Sequence, residues 1–229
     1  LQDGEVKTVA DWIIAQRTAK KPFKAVLPHS VSNNIGIINF DTDDIKIGSK
    51  TYTTAEFCVY IASIIAGTAL NESVTGKVIS EISSITESLT PDADVDAGKL
   101  ILINDGEQVE IARGVNSLTT VGTNQTEDMK SIKIVEGMDL IAEDIRTTFK
   151  ENYIGRSNSI ENKELFIAAV NQYFETLTKE GVLYDGYDHY AEIDIEAQRE
   201  YLASKSVDVA NMSDVAIKQA NTGTFMFMA

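Results

Sequence analysis

A single amphipathic stretch constrains this chain more than any other feature. Between Lys130 and Asn152, Ile134, Met138, Ile141, Ile145 and Phe149 recur three or four positions apart, which puts them on one stripe of a long α-helix. Directly before it come a strand-like Val109–Ala112, the turn Arg113-Gly114-Val115-Asn116-Ser117-Leu118-Thr119-Thr120 and a polar segment from Val121 to Asp128. Asn162 to Glu180 reads as a second helix, ended by Gly181. Helical patterning dominates after residues 105–115, so the spacing predicts a domain boundary there, dividing 1–108 from 109–229.

The first half alternates helix and strand. Val6, Val9, Ala10, Ile13 and Ile14 give helical spacing to Val6–Thr18, with Lys20 and Lys21 suited to the exposed carbonyls at its end. Phe23–Leu27 and Ile35–Phe40 read as strands, separated by a Pro28–Asn34 loop. Ile45–Thr51 reads as a short edge strand with Gly48 at its turn. Thr54, followed by Glu56, reads as the cap of a helix whose apolar run Phe57–Ala69 is too short and too interrupted to span a bilayer. Val78–Ile85 and Leu100–Asn104 are further strand candidates, with Pro91–Gly98 as a polar connection. Asn104-Asp105-Gly106-Glu107 predicts a hairpin between Leu100–Ile103 and Gln108–Ala112, because Asp-Gly suits a turn with positive φ. Late in the chain, Tyr187–Ile195 reads as extended, Ile195–Lys205 as a short helix and Ser213 as the cap of another. The order of elements implies an α/β (α+β) chain.

Chemical motifs are scarce. Asp92, Asp94 and Asp96 have calcium-loop spacing, but Ala97 and Ile103 stand where an EF-hand needs Gly and a bidentate Glu. The run therefore reads as an acidic surface loop. His29 and His189 are the two histidines, and no second His or Cys lies at metal-ligand spacing from His189. His29 beside Ser30 leaves open an α/β hydrolase that uses His29 with a distant serine, although the chain has no G-x-S-x-G elbow. Phosphate-loop and dinucleotide glycine patterns are absent as well. The expectation is a protein with no cofactor, no metal and no catalytic residues. Tyr184, Tyr187 and Tyr190 read as core packing or an interface. Cys58, the only cysteine, cannot form an internal disulfide, which fits a reducing compartment.

The net charge of −15 repels nucleic-acid phosphates and anionic membranes, so neither is an expected partner. Lys20, Lys21 and Lys24 form the tightest basic group and read as a solvated helix end. The last residues, Thr224-Phe225-Met226-Phe227-Met228-Ala229, read as a strand apolar on both faces. A free edge of that kind would aggregate. Such a strand either completes the chain's own sheet or is shared with a neighbouring subunit.

The segments Val9–Ile13 to Val26, Gly36–Asn39, Ala66–Ala69 with Asn71–Ser73, Gly98–Leu100, Asn104–Gly106, Arg113–Leu118, Ile132–Gly155, Asn171–Phe174 with Leu177, Glu180–Val182 and Glu196–Arg199 occur here in that order. In order and spacing the chain resembles the C-terminal portion of contractile tail sheath proteins of phages and phage-tail-like, R-type bacteriocin particles. The resemblance implies that 1–108 is the second half of the family's subtilisin-like α/β domain, without a protease triad. It implies that 109–229 is the C-terminal α+β sheath domain, with two long helices and a terminal strand.

Further expectations follow from the same resemblance. The protein would be a non-enzymatic subunit polymerising as stacked rings around an inner tail tube. It would contract to drive that tube through a cell envelope. Thr224, Phe225, Met226, Phe227 and Met228 would form the strand exchanged between subunits. Lys130, Lys133, Arg146 and Lys150 would be the cations that touch the tube. Its partners would be itself, the inner tube protein, and baseplate and tail terminator proteins. It would be made in the cytoplasm of a bacterium and end in a virion or phage-tail-like particle. Leu1 is expected to begin a fragment that lacks the family's N-terminal portion.

Overall fold

The structure is a computed structural model and describes residues 3–220. Those residues fall into two compact units, Leu1–Leu140 and Ile141–Ala229 by chain division.

The first unit is built on a parallel sheet. Strands β1 (Ala25–Pro28), β2 (Ile37–Phe40) and β6 (Lys99–Leu100) lie in the order β1-β2-β6. Leu27 pairs with Asn39, and Asn39 in turn with Lys99. All four residues of β2 are buried, as expected for a parallel strand covered on both faces. One face carries Ile37 and Leu27, packed with Val6, Ala10 and Ile13 of α1 (Asp3–Thr18). The other carries Ile38 and Phe40, packed with Phe57, Cys58 and Ile61 of α2 (Thr54–Gly67). The alternation along β2 thus feeds two hydrophobic clusters from three of its four residues.

Three features of α2 and its surroundings differ from the sequence expectation. The cap is Thr53, one residue earlier: its hydroxyl accepts the Glu56 amide, and the Glu56 carboxylate accepts the Thr53 amide in return. Thr54 is buried and donates to the Thr42 carbonyl at 2.9 Å. Ile45–Thr51 is not one strand but a hairpin of β3 (Asp43–Ile47) and β4 (Lys50–Tyr52), with Gly48 between them. The other neighbour of β3 is β5 (Ile82–Thr86).

Within the Pro91–Gly98 segment expected as a polar connection and acidic loop, Pro91–Asp96 forms the short helix α3. Pro91 is pre-set for a first helical turn, and Asp94 is held by Ser88 at 2.5 Å and Lys99 at 2.8 Å. Leu100–Asn104 is divided at Ile101: Leu100 pairs with Phe40 in the parallel sheet, whereas Leu102 in β7 (Leu102–Asn104) pairs with Ile111 of β8 (Val109–Ile111). The Asp-Gly hairpin between β7 and β8 forms as expected. Val109 and Ile111 join the cluster around Phe40, so the boundary anticipated near 108/109 lies within the first compact unit.

The turn after β8 anchors the long helix. Asn116 is buried; its amide donates to the Met129 carbonyl at 2.7 Å and its oxygen accepts the Leu118 amide. Ser117 Oγ donates to the Asn34 carbonyl, while Asn33 Oδ1 accepts the Thr119 and Thr120 amides at 2.8 and 2.9 Å. The Ile132 amide donates to Gly114, where α4 (Ile132–Asn152) begins, preceded by a 3-10 turn at Glu127–Lys130.

The second unit contains the end of α4, then α5 (Ile160–Lys179), α6 (Ile195–Ser204) and α7 (Asp214–Gln219). Phe149, Tyr153 and Phe166 form an aromatic cluster with centroids 4.9–6.3 Å apart. Tyr173 donates to Asp144 at 2.5 Å. Ser159, Asp194 and Ser213 cap the three later helices through their side-chain oxygens. Tyr187–Asp194 has no strand partner among the described residues and is held by Asn171, which bonds Ala191 through both its oxygen and its amide.

Candidate interaction surfaces

The four cations singled out in the sequence are distributed over both units. In the first, Lys130 pairs with Glu127 at 2.6 Å and Lys133 donates to the Asn71 carbonyl at 2.7 Å. In the second, Arg146 pairs with Glu143 at 2.5 Å, and Lys150 is exposed in the last turn of α4. The exchanged-strand candidates Thr224–Met228 lie outside the described residues.

Around His29 the fold assembles an ionic cluster. His29 Nδ1 meets Asp41 Oδ1, and its Nε2 is 3.6 Å from an Asp43 oxygen. Lys99 bridges Asp41 at 2.7 Å and Asp94 at 2.8 Å. Burial works to raise the Asp41 carboxyl, but the bonds from Lys99 and His29 outweigh it and leave the group below its ordinary value. The same contacts from Asp41 and Asp94 raise the Lys99 ammonium.

This is a poor setting for hydrolysis. The nearby Ser30 hydroxyl is buried and paired with Ser32 at 2.9 Å. The imidazole nitrogen that would serve a nucleophile faces a carboxylate instead. Among the described residues no group of three or more His, Cys, Asp or Glu is arranged to hold a metal, and no helix is long and apolar enough to cross a membrane.

Two aromatic surfaces stand out. In the first unit, Trp12 and Phe23 are about half exposed, with ring centroids 5.2 Å apart. In the second, Tyr184, Tyr187 and Tyr190 are 65–73% exposed. The Tyr184 ring lies against Gly186, where a Cβ would come within 2.3 Å of it, and packs edge-on to Tyr187 at 5.7 Å. His189 Nε2 donates to the Tyr184 carbonyl at 2.7 Å and so closes the turn. The sequence flagged these tyrosines as core or interface, and their exposure excludes the core.

The chain is of α+β class, and comparisons with known proteins point to one kind of relative. Residues 124–220 match the phage tail sheath C-terminal domain family. Over nearly its whole length the chain is similar to a tail sheath protein: it is 36% identical over 226 residues to the tail sheath protein of Clostridium phage phiCD119, covering 97% of this chain and 63% of that protein. The chain thus spans under two thirds of that curated relative.

Solved structures share the fold. The sheath tail protein from Desulfitobacterium hafniense superposes with a TM-score of 0.71 at 19% identity, over 78% of this chain and 44% of its own. The anti-feeding prophage helical sheath in its contracted state gives 0.58 at 11% identity, over 76% and 51%. At these identities the likeness is one of fold.

Proposed function

We propose that this chain is part of a structural subunit of a contractile tail sheath. The observation that carries the reading is the 36% identity to a tail sheath protein across 97% of the chain. In this reading, subunits stack as rings around an inner tail tube and contract to drive it through a cell envelope. The contracted anti-feeding prophage sheath, which shares the fold, supports an assembly that changes its packing. Contraction then proceeds because the contracted lattice makes the more favourable contacts.

The partners under this reading are other copies of the chain, the tube, the baseplate and the tail terminator, with neither nucleic acid nor membrane bound by this subunit. It is made in the bacterial cytoplasm and ends in a virion or phage-tail-like particle. Lys130, Lys133, Arg146 and Lys150 are the proposed tube contacts, and Thr224–Met228 the proposed exchanged strand. The division at 108/109 is retained as the proposed boundary between the two sheath domains, a separate matter from the compact units.

Negative-stain electron microscopy, with light scattering in parallel, tests the reading. Hollow cylinders or stacked rings support it. A monomer at every concentration and salt tried refutes it.

A further inference from the structure

Copies of a chain with net charge −15 repel one another, so a contact between them forms most readily where a local positive patch meets a negative one. The Trp12–Phe23 surface is such a positive patch. Lys20 and Lys21 are exposed beside it and enter none of the ion pairs among the described residues. The neighbouring Asp11 is neutralised by Lys7 at 2.6 Å. Arg17 and Lys24 point their charges inward, to Asp139. The segment carrying the two lysines is set by Lys20 at φ 62 and by backbone bonds from Lys20 to Arg17 and from Lys21 to Gln16. The result is a pair of half-exposed aromatic rings rimmed by two free ammonium groups.

The turn Tyr184–Tyr190 has the complementary character. Its three tyrosines are exposed, and Asp185 and Asp188 between them are exposed and outside every ion pair of the described residues. The His189 bond and the packing of Tyr184 on Gly186 hold the turn in shape before any partner arrives, which lowers the ordering cost of binding. Rigid aromatic side chains with polar tips are the groups that dominate protein interfaces.

Building on the sheath reading, we infer that the Trp12–Phe23 surface of one copy takes the Tyr184–Tyr190 turn of another, with Lys20 and Lys21 against Asp185 and Asp188. The two patches differ, so the contact is head-to-tail. Each copy offers one patch and receives the other, and the contact propagates into a ring or helix instead of stopping at a dimer.

The chain contains a single tryptophan, and it lies in this patch, so intrinsic fluorescence reports the contact directly. The experiment follows Trp12 emission and light scattering together as concentration rises. It compares the unaltered chain, the Lys20→Glu/Lys21→Glu variant, the Asp185→Lys/Asp188→Lys variant and an equal mixture of the two variants. Circular dichroism checks each variant for folding. Emission of the unaltered chain shifts to the blue as assembly proceeds. Each variant alone meets like charge and needs at least about tenfold more protein for half-assembly. The mixture restores assembly, because every contact between the two variants is again between opposite charges.

Assembly with unchanged Trp12 emission overturns the contact and leaves the sheath reading standing. Reversed variants that assemble like the unaltered chain do the same, as does a mixture no better than its parts. An unaltered chain that neither scatters nor shifts at any concentration counts against both.

Discussion

Asp139 accepts both terminal nitrogens of Arg17, at 2.9 and 3.0 Å, across 122 residues of sequence. The same carboxylate takes Lys24 at 2.8 Å, and Glu136 takes Lys24 at 2.9 Å. Arg17 and Asp139 are only 12% and 16% exposed at the side chain. This knot clamps the end of α1 to the first half of α4 within one unit. Removing Asp139 leaves the semi-buried Arg17 without its carboxylate, while Lys24 keeps Glu136; an unpaired semi-buried cation costs far more than a surface pair is worth. Asp139→Ala is expected to destabilise the first unit by about 2–4 kcal/mol in urea unfolding. A change under about 0.5 kcal/mol would mean that solvent screens the knot.

Gly36 is part of the same device. A Cβ there would lie 2.3 Å from Arg17 Cδ and 3.2 Å from the Phe23 carbonyl, so the arginine stem passes where a side chain would stand. Gly36→Ala is expected to cost about 1–3 kcal/mol by displacing Arg17. Its effect should be markedly less than additive with Asp139→Ala, since both remove one interaction. Simple additivity in the double-mutant cycle would show that the alanine acts elsewhere.

The Asp41–Lys99–Asp94 chain predicts a pH profile with two flanks. Lys99 and Ser88 lower Asp94 as Lys99 and His29 lower Asp41. Lowered carboxylates contribute stability that is present above their ordinary value of 3.8 and lost as pH falls through the folded value. The raised ammonium contributes stability that is present below 10.5 and lost as pH rises through its folded value. Thermal melts of Lys99→Met should therefore show a shallower loss on both the acid and the alkaline side. Parallel profiles for mutant and parent would remove the cluster from the explanation.

At the start of α2 the two adjacent threonines separate cleanly. Thr53→Ala deletes half of a capping box and should cost about 1 kcal/mol. Thr54→Val keeps the shape but leaves the buried Thr42 carbonyl without its donor, at about 1–3 kcal/mol. Urea midpoints for the pair test the ranking, and a larger loss for Thr53→Ala would reverse it.

Burial pushes the Cys58 thiol up to about 11, and its Sγ donates to the Thr54 carbonyl at 3.3 Å. At pH 8 it should resist a thiol-specific reagent in the folded protein and react fully in denaturant. Rapid labelling of the native protein would show that the Phe57–Ile61 turn opens.

The long elements were legible in the sequence because each depends on one short-range pattern. The stripe of α4, the Ser213 cap, the Gly181 stop and the Asp-Gly hairpin are all local. The break at Ile101 was not legible, since Leu100 and Leu102 take partners 60 residues upstream and nine downstream. Nothing in an apolar pentapeptide announces two sheets. Helix α3 was hidden by its aspartates, which look like loop until Lys99 and Ser88 are known to hold Asp94. By sequence Lys24 is indistinguishable from its neighbours Lys20 and Lys21, and only the fold separates the one bound to Asp139 from the two outside every ion pair of the described residues. The exposure of the tyrosine turn was likewise invisible, because sequence spacing does not distinguish an aromatic core from an aromatic surface.

The late arrival of β6 has a consequence at the ribosome. Strand β2 is buried at all four residues, three of them apolar, yet waits for Lys99 and Leu100 to close its second edge. At about 5–20 residues per second, those 60 residues take roughly 3–12 s to be synthesised. Throughout that interval an unpaired hydrophobic edge hangs from every nascent copy. The chain is thus most vulnerable before it is finished, and its yield depends on what shields that edge during translation.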